Sequence, residues 1–156
     1  MNQQIRPAPV RKTVLVKASP QKAFEVFTSG IHRWWPASHH IGASPLKRPV
    51  IEPMVGGRWY TVCEDDSEVE VGRVAAWEPP ARVVLVWQIN AQWRYDPSIE
   101  TILEVTFTPE GDGTRVDLEH RQLEQLGAGA VEGRARLDAP SGWGALLALY
   151  AQQANL

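Results

Sequence analysis

Apolar and polar residues alternate from Val10 to Lys17, with Val14 and Val16 on one face, and this predicts a β-strand. Ser19-Pro20 then reads as a helix start, with Ser at the N-cap and Pro at the first helical position. Ala23, Phe24 and Phe27 form the apolar face of that short helix, and Gly30 stops it. A second helical turn is expected over His32-Arg33-Trp34-Trp35-Pro36, followed by loop from Ala37 to Leu46.

From Arg48 the pattern changes to strands, expected near 48–53, 57–64, 68–77, 81–90, 99–108 and 114–121. Glu64-Asp65-Asp66-Ser67 makes a polar hairpin tip and Pro79-Pro80 a turn. Asp96-Pro97 breaks the connection after the fifth strand, and Pro109 to Gly113 is a strong turn signal. Hairpin spacing implies an antiparallel sheet. Gly127 to Ala130 leads into a short helix through Val131 to Leu137. Trp143, Leu146, Leu147, Tyr150, Ala151 and Ala154 then form an amphipathic stripe, which Ser141 or Asp138 is placed to cap. A sheet with one apolar face must bury it, and this last helix is the obvious cover. An incompletely filled space between the two becomes a cavity.

At 156 residues the chain suits one domain, expected over 10–156, with a flexible polar tail over 1–9. Its formal net charge of -2 gives no reason to expect nucleic acid or an anionic membrane. No apolar run approaches the ~20 residues that span a bilayer. The N-terminus lacks the apolar stretch of a secretory signal. Cys63 is the single cysteine, so no intrachain disulfide forms, and a cytoplasmic location fits best. Seven tryptophans are the one compositional excess. Most of them should line a core or a cavity.

Several motifs together resemble one family. They are Ala18-Ser19-Pro20 with Val26-Phe27, then Trp34-Trp35-Pro36, then Gly56-Gly57-Arg58-Trp59 and Gly72. Pro79-Pro80-Ala81-Arg82-Val83-Val84 with Trp87 follow, and then Gly113-Thr114-Arg115-Val116, His120 and Gly142-Trp143. In order and spacing, from about residue 10 to 154, the chain resembles the START-like (SRPBCC) superfamily. Within it, the chain looks like the AHSA type, named for homology to an activator of a heat-shock chaperone ATPase. The resemblance implies an α+β helix-grip fold. Six or seven antiparallel strands would wrap a long C-terminal helix, with two short helices after the first strand. It says much less about function, because relatives include ligand carriers, cyclases and stress-signal receptors.

Strand alternation sorts the side chains. Trp59, Thr61 and Cys63 share one face, and the resemblance favours Trp59 as inward. Glu70, Gly72 and Val74 would then point inward too, barring a bulge at Gly72. Val83, Leu85, Trp87 and Ile89 share a face, as do Thr101, Leu103, Val105 and Phe107, and Thr114, Val116, Leu118 and His120. Arg115, Asp117 and Glu119 make a solvated outer face.

His120 is in phase with the core near a strand end. It reads as a polar contact or proton donor at a pocket wall, or, more commonly for a buried polar group, as a histidine bonded to a nearby backbone carbonyl. Glu70 would become a general base if turned inward, where desolvation raises a carboxyl pKa; solvated beside a hairpin tip, it would not. Cys63 reads as a small buried hydrophobe, since no base adjoins it in sequence. His39-His40, with His32 upstream, lacks the ligand spacing of a zinc site, and the acidic tip lacks that of a calcium loop.

The expected function is binding of a small hydrophobic or aromatic molecule, without metal or cofactor. The lining residues would be Trp34, Trp35, Trp59, Thr61 and Cys63, with Trp87, Leu103, His120, Trp143 and Leu147. For each tryptophan, plain core packing is the competing reading. The alternatives are a cofactor-free cyclase or dehydratase with His120 or Glu70 as acid or base, and a chaperone-interaction module. A homodimer is compatible with these residues. An interaction module needs an exposed apolar patch, which the charged outer residues argue against.

Overall fold

The computed structural model describes residues 7–156. The chain runs β1 (Val10–Val16), α1 (Pro20–Phe27), a 3-10 turn (Ile31–Arg33), β2 (Leu46–Ile51), β3 (Arg58–Cys63) and β4 (Glu68–Glu78). It continues through β5 (Arg82–Trp87), β6 (Thr101–Glu110) and β7 (Gly113–Arg121). A 3-10 segment (Leu123–Gly129), α2 (Ala130–Asp138), a π turn (Pro140–Gly144) and α3 (Ala145–Ala154) close the fold. The tail expected over 1–9 lies largely outside the described residues. Of the rest of it, the carbonyls of Ala8 and Pro9 accept from Arg134 on α2, at 2.7 and 3.3 Å.

The seven strands form one antiparallel sheet in the order β1-β7-β6-β5-β4-β3-β2. From β2 to β7 each strand pairs with its sequence neighbour, as hairpin spacing dictates, and β1 joins the far edge through β7. The sheet curls as a half-barrel around the C-terminal helices, an α+β helix-grip architecture. On β7 the alternation is complete: Thr114, Val116, Leu118 and His120 are buried and the residues between them are not. No helix among the described residues is long and apolar enough to cross a membrane.

Ser19 caps α1 by accepting the Lys22 amide N–H at 3.2 Å, with Pro20 beginning the helix. The helix ends at Phe27, before Gly30, and the next helical turn is shorter than expected and begins at Ile31. Phe24 and Phe27 meet Phe107 of β6 edge to face, at 5.3 and 6.1 Å. The Tyr150 hydroxyl of α3 donates to the Ala23 carbonyl of α1 at 2.8 Å, so one buried bond ties the two helices.

Neither Ser141 nor Asp138 caps the last helix. Gly144 precedes α3 with no side-chain cap, because the π turn inserts an irregular backbone between α2 and α3. Asp138 instead pairs with Lys12 at 2.8 Å.

Two glycines decide local geometry. Gly72 sits opposite Trp59 and Trp87, and a Cβ there would stand 1.7 Å from the Val86 carbonyl oxygen, so only glycine lets β4 and β5 approach. The second, Gly42, bears on the cavity described below. Beside Gly72 the register shifts: Trp59 pairs with Gly72 but Tyr60 pairs with Glu70, leaving Val71 as an extra, bulged residue.

The outer face carries a ladder of charge. Glu104 lies between Arg82 and Arg121, and Arg121 also meets Glu119, which pairs with Arg11. The Arg82 guanidinium, ahead of Arg121, holds the Glu104 carboxyl below the usual carboxylate range.

Candidate functional site

Between the concave face of the sheet and the α2–α3 junction lies a cavity of about 420 Å³. Five tryptophans line its wall, Trp93 among them, and the other four, from four different elements, pack together. Trp35 comes from the loop after the 3-10 turn, Trp59 from β3, Trp87 from β5 and Trp143 from the π turn.

These four rings make a closed circuit of tilted, near edge-to-face contacts. Trp35 meets Trp59 at 6.3 Å, Trp59 meets Trp87 at 5.6 Å, Trp87 meets Trp143 at 5.8 Å, and Trp143 returns to Trp35 at 6.1 Å. Such contacts suit the ring quadrupoles and hold each indole in place. Three of the four indole N–H groups are spent on the protein. Trp35 donates to the His39 carbonyl, Trp87 to the Ile89 carbonyl and Trp143 to His120, at 2.9, 3.1 and 3.1 Å. Val71, Ile89 and Leu146 extend the apolar wall.

The rim is polar. His39 Nε2 donates to the Ser141 carbonyl at 2.8 Å, and its Nδ1 lies 3.0 Å from the Ser38 hydroxyl. That bond ties the 36–45 loop to the π turn beside the cavity. Arg136 is the single charged side chain among the lining residues that is permanently ionised, and no lining residue is acidic. Among the described residues no three His, Cys, Asp or Glu side chains lie together so as to hold a metal ion.

Of the residues expected to line a pocket, Trp35, Trp59, Thr61, Trp87 and Trp143 do so. Five others do not. Trp34 is buried away from the cavity, between Phe27 and Tyr150, with its N–H donated to the Val26 carbonyl at 2.8 Å. Leu103 and Leu147 belong to the buried core and are not among the lining residues. Cys63 is fully buried, 3.5 Å from His40 Nε2, a neighbour that sequence adjacency does not reveal. His120 is wholly buried behind Trp87 and Trp143, with ring centroids at 5.2 and 6.0 Å.

The environment of His120 is fully determined. An indole N–H only donates, so His120 Nδ1 is an acceptor and the proton sits on Nε2. Nε2 then donates to the Thr101 hydroxyl at 2.8 Å, which donates to the Trp87 carbonyl at 2.9 Å. Burial pushes the His120 pKa down from 6.5 to about 3, so the ring is neutral. Its partners are two side chains rather than a backbone carbonyl, and through them it is joined to two tryptophans of the cavity wall.

Glu70 does not turn inward. The bulge at Val71 sends Val71 into the cavity and leaves Glu70 on the outer face with Arg58, whose Nε donates to it at 3.0 Å. One extra residue reverses the alternation on which the inward expectation rested. The further lining residues that sequence pattern did not single out are mostly of this kind. Val71 depends on the bulge, Ile41 and His40 on the path of an irregular loop, and Leu137 and Arg136 on how α2 packs.

A family model described as Activator of Hsp90 ATPase homolog 1-like protein matches residues 17–151. Among solved structures, the chain is 40% identical to an anthrahydroquino-gamma-pyrone synthase, Txn09, complexed with SUM. That match covers 94% of this chain and 97% of the other, with a TM-score of 0.65. It is 32% identical to CalC, a self-sacrificing resistance protein from Micromonospora echinospora, over 94% and 93% of the two chains, with a TM-score of 0.68. It is 14% identical to the Aha1 dimer from Colwellia psychrerythraea, over 96% and 98%, with a TM-score of 0.64, a likeness of fold alone. Comparison with curated protein sequences finds no match.

Proposed function

The chain belongs to the family of Activator of Hsp90 ATPase homolog 1-like proteins, and from that premise we propose that its cavity binds a flat, mainly apolar aromatic molecule. The observation that carries this reading is the closed circuit of four tryptophans that lines a space of about 420 Å³. Sites for small molecules are concave, mostly apolar and supplied with a few placed polar groups. Indole faces and edges are good walls for fused aromatic rings. Of the four packed indoles only that of Trp59 has no acceptor for its N–H among the described residues, and this N–H is the orienting donor. Similarity to a protein named as a synthase of an anthrahydroquinone-type pyrone supports a polycyclic aromatic ligand.

A second reading, cofactor-free ring closure on such a molecule, draws support from the same relative. It does not run through His120 or Glu70, since neither lines the cavity. A chaperone-interaction module has less support, because the outer face of the sheet is laced with ion pairs rather than apolar. A free, buried Cys63 supports a cytoplasmic setting.

Titration of the purified protein with 2-methylanthraquinone, followed by tryptophan fluorescence and native mass spectrometry, tests the reading. One equivalent should bind and quench the indoles. No saturable quenching and no 1:1 complex would overturn it.

A further inference from the structure

We propose that His40 is the residue that selects the ligand's polar group, accepting a hydrogen bond at Nδ1 from a hydroxyl on the aromatic frame. This rests on the cavity being an aromatic-ligand site.

His40 lies on the 36–45 loop and lines the cavity. Its Nε2 is 2.9 Å from the Ser44 carbonyl oxygen, which can only accept, so Nε2 carries the proton. Cys63 Sγ, 3.5 Å from the same nitrogen, fits as a weak second acceptor. Gly42 packs against this edge of the ring, where a Cβ would stand 2.5 Å from Nε2 and 2.7 Å from Cε1. The Nε2 edge is therefore fully occupied and the tautomer is set.

That leaves a lone pair on Nδ1. This atom is closed to solvent and has no hydrogen-bond partner, the single such side-chain nitrogen or oxygen among the described residues. Folded proteins leave very few buried polar atoms unpaired, and an exception calls for a partner. Many other polar groups of the wall are engaged: the N–H groups of Trp35, Trp87 and Trp143, the Thr61 hydroxyl and both nitrogens of His39. The N–H groups of Trp59, Trp93 and Arg136, which have no acceptor among the described residues, can only donate, so His40 Nδ1 is the buried acceptor left over. Contact with Nδ1 requires the ligand to displace part of the 36–45 loop, which has no regular secondary structure.

The chemistry of the missing partner follows. It must donate. An ammonium donor is disfavoured, since the lining contains Arg136 and no carboxylate. A neutral hydroxyl on a fused aromatic ring meets both conditions.

The test compares 2-hydroxyanthraquinone with 2-methylanthraquinone, which differ by one hydroxyl against one methyl of similar size. Dissociation constants are read from tryptophan quenching for the wild type, His40→Gln and His40→Asn. Glutamine keeps an N–H for Ser44 but has no acceptor at the Nδ1 position, whereas asparagine places an oxygen near it. The ratio of methyl to hydroxyl dissociation constants should fall about tenfold in His40→Gln, the scale of one buried hydrogen bond. Affinity for the hydroxyl compound should fall more than affinity for the methyl compound, and His40→Asn should recover part of the preference. An unchanged ratio in His40→Gln, or an equal loss for both compounds, overturns the role of His40 while leaving the cavity reading intact. Failure of the wild type to bind either compound overturns both.

Discussion

Trp143 donates its indole N–H to Nδ1 of His120 at 3.1 Å, and that single bond determines where the His120 proton sits. The rest of the chain follows from it: Nε2 to Thr101, and Thr101 to the carbonyl of Trp87. Two of the five cavity tryptophans are thus linked through one neutral, buried imidazole. Replacing Trp143 with Phe keeps an aromatic ring but leaves His120 Nδ1 buried without a donor. Trp143→Phe should lower unfolding free energy by about 1–3 kcal/mol, measured by urea denaturation at pH 7.5.

The same histidine predicts a pH dependence. Its pKa is about 3 in the folded protein against an ordinary 6.5. Below pH 6.5 the unfolded chain takes up a proton that the folded chain refuses, so acid favours unfolding. The contribution is full above pH 6.5 and is lost as pH falls toward 3, by at most about 1.4 kcal/mol per pH unit. Between pH 6.5 and 5, above the range in which Glu104 and Glu119 titrate, the wild type should lose stability more steeply than His120→Phe. Parallel slopes in denaturant titrations across that window would contradict this.

Gly72 is a backbone requirement rather than a pocket residue in its own right. An added methyl would collide with the Val86 carbonyl, which is held in the β4–β5 ladder and cannot retreat. Gly72→Ala should cost about 3 kcal/mol or more, or prevent folding altogether, read from the thermal midpoint and circular dichroism.

Val71 offers a way to close the cavity without touching the tryptophans. Its side chain faces the empty space because of the bulge. Val71→Phe should reduce affinity for 2-methylanthraquinone at least about tenfold while the protein stays folded, because the new ring fills space rather than displacing core atoms. Isothermal titration calorimetry with a thermal melt of the same sample separates the two effects.

Glu70 provides the opposite control. Paired with Arg58 on the outer face, it contributes nothing to the cavity. Glu70→Gln should leave the dissociation constant of either anthraquinone unchanged within error, and a tenfold change would return Glu70 to the site.

Most of the fold was legible because its signals are local. Ser19-Pro20 announces a helix start that the structure reproduces, including the side-chain cap. The stripe from Trp143 to Ala154 marks a buried face whether the backbone there is one long helix or a π turn followed by ten residues of α-helix. The site was legible in part. Tryptophans at 35, 59, 87 and 143 stand out by size, and those at 59 and 87 also by strand phase, whereas His40 sits in an irregular loop with no periodicity to read.

Burial pattern and the need for a helical cover were written in the alternation of residues, because a side chain's face on a strand depends only on its neighbours in sequence, whereas the pairing of β1 with β7 was not. What only the tertiary structure decided depends on distant contacts. The bulge at Val71 swapped Val71 for Glu70 at the wall, and the approach of Trp143 put His120 behind the cavity rather than in it. The meeting of Ser44 with His40 left one lone pair unpaired. A one-residue register shift and a hydrogen bond across 23 residues of sequence are invisible to local pattern, and they determine the polar chemistry of this cavity.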